Sequence, residues 1–195
     1  MNTWKGSPLV KAKDRKAWRA WLAKNHDKEK SAWLVTPHKG KATTDLDYNS
    51  AVEEALCFGW VDSTANTYDA SNTVQYYAPR RPGSKWSITN HERVARMVKE
   101  GLMTPAGQAM IDLAKRTGTW DMFVGAQNAI VPDDLQRAFT RSKTALKHFT
   151  AFPPSSKRLI LEWIASAKRP ETRSKRIAET VSLSAKNIRA NHPVR

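Results

Sequence analysis

The sequence of 195 residues contains a single cysteine, Cys57. One thiol allows no internal disulfide and no metal site built from several cysteines. It lies between Leu56 and Phe58 in an apolar segment, whereas a nucleophilic thiol needs a basic and accessible setting. We therefore expect Cys57 to be a small core residue.

Motifs for metals, phosphates and dinucleotides are also missing from the sequence. The five histidines are scattered, and His91 beside Glu92 has no second histidine at helical spacing. The glycines are isolated, so they form neither a phosphate loop nor a dinucleotide fingerprint, and no nucleophile elbow occurs. We expect no metal and no cofactor, we name no catalytic residue, and we favour a binding protein over an enzyme.

Long hydrophobic runs are absent as well. No apolar run approaches the roughly 18 residues that a membrane span requires. The N-terminal segment lacks the basic, apolar and small-residue regions of a signal peptide. These absences predict a cytoplasmic protein without a membrane span.

Acidic residues are scarce beside basic ones. The sequence has 18 Asp and Glu against 33 Lys and Arg, which gives a net charge of +15 and a pI near 10.1. Residues 131–195 alone hold 14 basic and 5 acidic residues, a net charge of +9. This balance favours anionic partners such as nucleic acid, although a basic surface can also serve only to keep a protein in solution.

Hydrophobic periodicity predicts an α+β fold. Trp18, Trp21 and Leu22 share one face of a helix expected over residues 14–25. Strands are expected near residues 8–10, over 31–36, from residue 60 and over 75–78, the last two pairing antiparallel around a turn at 69–72. A polar loop covers residues 40–47. The result is a small mixed or antiparallel sheet packed with helices.

Helical patterns dominate from Thr89 onwards, and Thr104 before Pro105 is typical of a helix start. Residues 120–131 show no clear period. We therefore divide the chain into an α+β domain at 1–120, a linker at 121–130 and a small all-helical domain at 131–195.

Local signals bound the helices on either side of the central strands. Ser50 with Glu53 fits a capping box, and Gly59 suits the left-handed residue that ends a helix. Thr89 with Glu92 forms a second capping box at the start of the next helix.

A polar cluster is expected where these helices and strands end. Two arginines beside a helix N-terminus make an anion site, because free backbone N–H groups and the helix dipole favour negative charge. The candidate ligand-binding residues are Asp62, Ser63, Arg80, Arg81, Ser84, Trp86, Ser87 and Asn90.

Each candidate also has a structural interpretation. Asp62 can form an ion pair with Arg80, and the only role of that pair can be to hold the strand to the following loop. Ser87 and Asn90 can be capping groups, and Trp86 can be a core residue.

Several segments carry a family resemblance. AVEEALCFGWVDS, APRRPGSKWS with ITNHERV, and GLMTPAG resemble signature blocks of the YdeI/OmpD-associated (bacteriocin-protection) family. FPPSSKRLILEWIASAKRPETRSKRIAETV is similar to the small helical domain of that family. The resemblance implies protection against bacteriocins or cationic peptides, and it implies no defined reaction or ligand.

Three functions remain open. The first is a non-enzymatic protective or binding protein with an anion-accepting pocket, whose partner is a small anionic ligand or a protein. The second is an enzyme on a small anionic substrate, with Asp62 or Glu53 as base and Arg80 as anion anchor. The third is a weak, electrostatic nucleic-acid binder; it ranks last because the tryptophans have core spacing and no reader motif occurs. The sequence does not predict an oligomeric state.

Overall fold

The computed structural model describes residues 2–38 and 46–192; residues 39–45, which include most of the polar loop predicted for 40–47, lie outside this description. The chain forms two compact units. The first comprises Met1–Ser84 and Thr89–Thr117, and the second comprises Lys85–Ile88 and Gly118–Arg195. The predicted α+β fold with helices at the C-terminus is confirmed.

The first unit contains a five-stranded mixed sheet in the order β1-β2-β3-β5-β4. Its strands are β1 (Thr3–Trp4), β2 (Ser7–Val10), β3 (Ala32–Pro37), β4 (Trp60–Thr67) and β5 (Asn72–Pro79). β2 and β3 run parallel, and the other neighbours are antiparallel. The predicted antiparallel pairing of β4 with β5 is therefore confirmed.

Four helices belong to this part of the chain: α1 (Arg15–Asn25), α2 (Tyr48–Cys57), α3 (Ile88–Lys99) and α4 (Pro105–Arg116). α1 buries Trp18 and Leu22, as the apolar stripe predicts. The Trp18 indole lies 5.3 Å from the Tyr77 ring of β5 and donates a hydrogen bond to the Ala51 carbonyl of α2 at 3.0 Å. Trp18 thereby joins α1, α2 and the sheet.

Both capping boxes proposed from the sequence are wrong. α2 begins at Tyr48, because the Asp47 carboxylate accepts the Ser50 N–H at 2.9 Å and caps the helix three residues before Ser50, the expected cap. α3 begins at Ile88, so Thr89 lies inside the helix. The Ile88 N–H donates instead to the Gln127 side chain at 2.7 Å.

Two other local predictions are confirmed. Gly59 has φ of +75° and ends α2 in the left-handed conformation. Thr104 caps α4, with Pro105 in its first turn, and its hydroxyl donates to the Cys57 carbonyl at 2.6 Å.

The second unit is helical. Its helices are α5 (Val124–Gln127), α6 (Asp133–Thr140), α7 (Lys143–Ala151), α8 (Pro154–Ala165) and α9 (Pro170–Ala185), and their core includes Leu135, Phe139, Phe149, Ile160 and Ile164. Residues 121–130 lie within this unit, and Ala126 of α5 is buried in its core. The domain boundaries at 120 and 131 stay a prediction. Within the described ranges, no helix is long and apolar enough to cross a membrane.

Candidate functional site

The pairing of β4 with β5 places Asp62 directly opposite Tyr77. Residues opposite each other in a ladder share a face of the sheet, and the Tyr77 ring packs on Trp18 on that face. Asp62 also accepts a hydrogen bond from the Tyr48 hydroxyl at 2.7 Å. The first turn of α2, β4 and β5 thus bring two phenols and one carboxylate together.

The Tyr77 hydroxyl is the unusual group of this cluster. Its side chain is completely buried, yet its oxygen has no hydrogen-bond partner within residues 2–38 and 46–192. Burial raises the pKa of Tyr77 well above its usual value, and the charge of Asp62 raises it further while Arg93 lowers it. A buried polar group without a partner costs about 1–3 kcal/mol, so this O–H is a donor that a ligand acceptor could satisfy.

Two arginines contribute positive charge here. Arg80 follows β5 and is buried, and its backbone N–H donates to the Gly59 carbonyl at 2.8 Å. Burial lowers the pKa of Arg80 to about 10, against the opposing effect of Asp62, so the guanidinium remains protonated at neutral pH. Arg93 of α3 donates to the Asn90 side chain at 2.9 Å and to that of Asn49 at 2.7 Å.

Arg93 also lies over the cluster. Its guanidinium is 5.9 Å from the centre of the Tyr48 ring, and the Tyr48 side chain is half exposed. Burial and the bond to Asp62 raise the pKa of Tyr48 to about 12, so both phenols are protonated at neutral pH. The cluster therefore combines O–H donors and guanidinium groups with one carboxylate.

The structure brings three of the sequence-predicted site residues to this cluster, namely Asp62, Arg80 and Asn90. Ser63 is exposed, and its carbonyl accepts from the Gln75 side chain at 3.2 Å.

Other predicted site residues lie elsewhere. Arg81 and Ser84 bound a turn, in which the Ser84 N–H and hydroxyl donate to the Arg81 carbonyl at 3.0 and 2.6 Å. Gly83 supports this turn with φ of +80°. Trp86 and Ser87 belong to the second unit, where Trp86 packs on Trp120 with ring centres 4.7 Å apart.

Sequence reasoning missed four residues of the cluster: Tyr48, Asn49, Tyr77 and Arg93. The first two follow Asp47, a residue type that commonly caps helices, so Asp47 was the available signal for the true start of α2.

The two glutamates of α2 form a separate ionic network. Glu53 accepts hydrogen bonds from Arg15 at 3.0 Å and from Arg96 at 2.5 Å, and Glu54 accepts from Arg15 and Arg19, both at 2.6 Å. Both carboxylates are buried. Guanidinium donors therefore bind both oxygens of Glu53, the residue considered above as a catalytic base.

The single thiol lies beneath this network. Cys57 is buried, as expected, and burial together with the charge of Glu54 raises its pKa to about 11. A protonated, buried thiol is a poor nucleophile. In the part of the chain that the structure describes, no group of three His, Cys, Asp or Glu residues could hold a metal ion.

The second unit has its own concave surface, a groove of about 650 Å³ between α6 and α9. Ala138, Ile177 and Val181 supply apolar lining. At one side Arg173 donates two hydrogen bonds to Asp134, at 2.6 and 2.9 Å.

Two known protein families match different parts of the chain. Residues 10–110, about half of the sequence, match a family described as "Domain of unknown function (DUF8412)", and the chain belongs to that family. Residues 128–187 match the family "Bacteriocin-protection, YdeI or OmpD-Associated", which confirms the resemblance noted in the sequence. No curated protein and no solved structure matches the chain.

Proposed function

We propose that this chain is a non-enzymatic protective protein of the bacteriocin-protection type, and that it acts by binding a small ligand with an anionic group. The ligand would occupy the cluster of Tyr48, Asp62, Tyr77, Arg80 and Arg93. The observation that carries the proposal is the buried Tyr77 hydroxyl without a partner. A carboxylate, phosphate or sulfate oxygen supplies the acceptor that this O–H lacks.

The charges of the cluster favour an anion. Two guanidinium groups, Arg80 and Arg93, outnumber the single carboxylate of Asp62. The net charge of +15 steers anions towards the protein and repels cationic peptides. Protection by direct capture of a cationic peptide is therefore disfavoured, and a small anion is the better partner.

The hydrogen bonds favour binding over catalysis. Both oxygens of Glu53 are bound by arginines, and Asp62 accepts from Tyr48. A general base needs a free oxygen within reach of the proton that it abstracts. The enzyme hypothesis based on Asp62 or Glu53 therefore has less support than a binding role.

Entry of the ligand would require Tyr48 to rotate. Its half-exposed ring approaches Arg93, and its hydroxyl binds Asp62. Rotation would exchange this surface hydrogen bond for contacts of the ligand with the Tyr77 hydroxyl and Arg93. A bound anion would also offset the positive charge of Arg93.

Thermal unfolding with phosphate, sulfate and acetate tests the proposal, with potassium chloride of equal ionic strength as reference. A ligand at a hundredfold its dissociation constant adds about 2.7 kcal/mol, which raises Tm by several degrees. Arg93→Gln should reduce the ligand-induced rise by more than half. Arg116→Gln removes the same charge from an exposed position on α4 and should retain the rise. An equal reduction of the Tm rise in both variants would show that the rise depends on net charge alone.

A further inference from the structure

The sheet of the first unit has a second face, opposite the one that carries Tyr77. Trp33 of β3 lies opposite Leu9 of β2 and Tyr76 of β5. Because side chains alternate along a strand, Tyr76 points away from the face of Tyr77. The residues of this outer face form a hydrophobic cluster of their own: Trp4, Leu9, Trp33, Val35, Tyr68, Val74 and Tyr76.

Aromatic rings dominate this outer face. Trp4 meets Trp33 edge to face with ring centres 4.5 Å apart, and Tyr76 meets Trp33 at 4.9 Å. Trp4, Tyr68 and Tyr76 remain partly exposed. All members come from the strands or the β4–β5 turn, and no helix residue among those described belongs to the cluster.

Two exposed lysines lie over these rings. The Lys5 ammonium is 4.5 Å from the centre of Trp4, and the Lys11 ammonium is 5.2 Å from that of Tyr68. Lys5 and Gly6 have φ of +45° and +79°, the left-handed conformation of a two-residue hairpin turn between β1 and β2. The turn thus carries a lysine whose ammonium group lies above the partly exposed ring of Trp4.

We propose that this outer sheet face binds single-stranded nucleic acid. Every base has a flat face that can stack on Trp or Tyr, and every phosphate can pair with a lysine ammonium such as that of Lys5 or Lys11. A strand that carries both bases and phosphates therefore matches a face that carries both aromatic rings and ammonium groups. The net charge of +15 complements a polyanion, whereas a neutral sugar chain would use the rings and leave the lysines without a role.

Fluorescence anisotropy with a labelled oligothymidine of twelve nucleotides tests the proposal on the full chain. We expect a dissociation constant between about 1 and 100 μM that weakens steeply with salt. Trp4→Leu should weaken binding about tenfold, as expected when one stacking platform is lost. Lys5→Gln and Lys11→Gln should each lower the slope of log affinity against log salt by about 0.7.

Matched controls separate this face from diffuse attraction. Lys16→Gln removes the same charge from an exposed position on α1 and should leave the slope nearly unchanged. Lys99→Gln removes the same charge from an exposed position on α3 and should likewise leave the slope nearly unchanged. The lysine variants keep the test valid if Trp4→Leu fails to fold.

Three results would overturn the proposal. One is an affinity for the oligothymidine that is undetectable at low salt. Another is a loss with Lys16→Gln as large as that with Lys5→Gln, which would mean diffuse electrostatic attraction. The third is effective competition by a neutral oligosaccharide, which would identify the face as a sugar-binding surface.

Discussion

Asp62 lies opposite Tyr77 in the β4–β5 ladder and at the same time accepts the hydroxyl hydrogen of Tyr48. The ladder pair and the hydrogen bond together link β4, β5 and Tyr48, the first residue of α2. It therefore gathers two protonated phenols around one carboxylate. This arrangement, with Arg93 nearby, is the centre of the proposed ligand site.

The raised phenol pKa values predict a loss of stability in alkali. Unfolded tyrosines release their protons near pH 10, whereas the pKa of Tyr48 is about 12 and that of Tyr77 is well above normal. The stabilisation linked to these protonated phenols is fully present below pH 10. The free energy of unfolding should therefore fall as the pH rises towards 12. Urea unfolding between pH 9 and 12 should show a shallower decline for Tyr48→Phe. Parallel curves for the two proteins would contradict this.

Glu54→Gln should strongly destabilise the first unit. Glu54 is almost completely buried and accepts from Arg15 and Arg19, so its loss removes the carboxylate bound by Arg19 and one of the two bound by Arg15. Breaking a buried ion pair costs about 3–5 kcal/mol. Glu100→Gln changes an exposed carboxylate and should cost less than about 0.5 kcal/mol. Chemical denaturation of both variants measures the difference, and equal stabilities would show the network to be dispensable.

Two helical glycines should respond in opposite ways to alanine. A Cβ on Gly107 would lie 2.3 Å from the Cys57 carbonyl oxygen, whereas nothing lies within 4 Å of one on Gly125. Gly107→Ala forces the backbone of α4 away from α2 and should cost about 3 kcal/mol. Gly125→Ala should be neutral or stabilise by up to about 1 kcal/mol. Thermal melting distinguishes them, and a Gly107→Ala protein as stable as the wild type would refute the close approach of α4 to α2.

The Asp134–Arg173 pair should stabilise the second unit in a pH-dependent way. Hydrogen bonds from Arg173 lower the pKa of Asp134. The stabilisation from this ion pair is therefore present above pH 4, and it is lost as the pH falls through the depressed pKa of Asp134. Asp134→Asn should cost about 1 kcal/mol at pH 7 and progressively less as the pH falls through that depressed pKa.

Asp133→Asn provides the matched control for this pair. Asp133 is exposed in the same first turn of α6, so both variants lose the same favourable interaction with the helix dipole. The difference between their unfolding free energies at pH 7 isolates the bond to Arg173. No difference would mean that the pair contributes nothing.

Much of the fold follows from local patterns. The stripe of Trp18 and Leu22, the left-handed Gly59 and the Thr104 cap each depend on neighbours close in sequence. Three of the predicted site residues also meet at the cluster, because strand and helix ends carry them to one place.

The remaining site residues depend on register, which local patterns leave open. Tyr76 and Tyr77 are adjacent aromatic residues, so alternation does not indicate which of them faces the helices. β4 also contains an irregularity between Asp62 and Ala65. Over this stretch β4 advances by three residues while its partner β5 advances by two. The extra residue changes which side chains lie opposite one another beyond that point.

The buried glutamates show a similar limit. Glu53 and Glu54 are charged residues on a helix, for which exposure is the usual expectation. They are buried because Arg15 and Arg19 on α1 and Arg96 on α3 reach them across α2. A sequence pattern within α2 contains no information about these distant partners.

The most direct test of the proposed ligand site compares Tyr77→Phe with Tyr76→Phe. Each variant loses one hydroxyl from the same strand, but only Tyr77 faces the cluster. Without ligand, Tyr77→Phe should be as stable as the wild type or slightly more so, because its hydroxyl has no partner to lose. With the anion that stabilises the wild type, Tyr77→Phe should lose the rise in Tm while Tyr76→Phe keeps it. A full rise in Tyr77→Phe would contradict the proposed site.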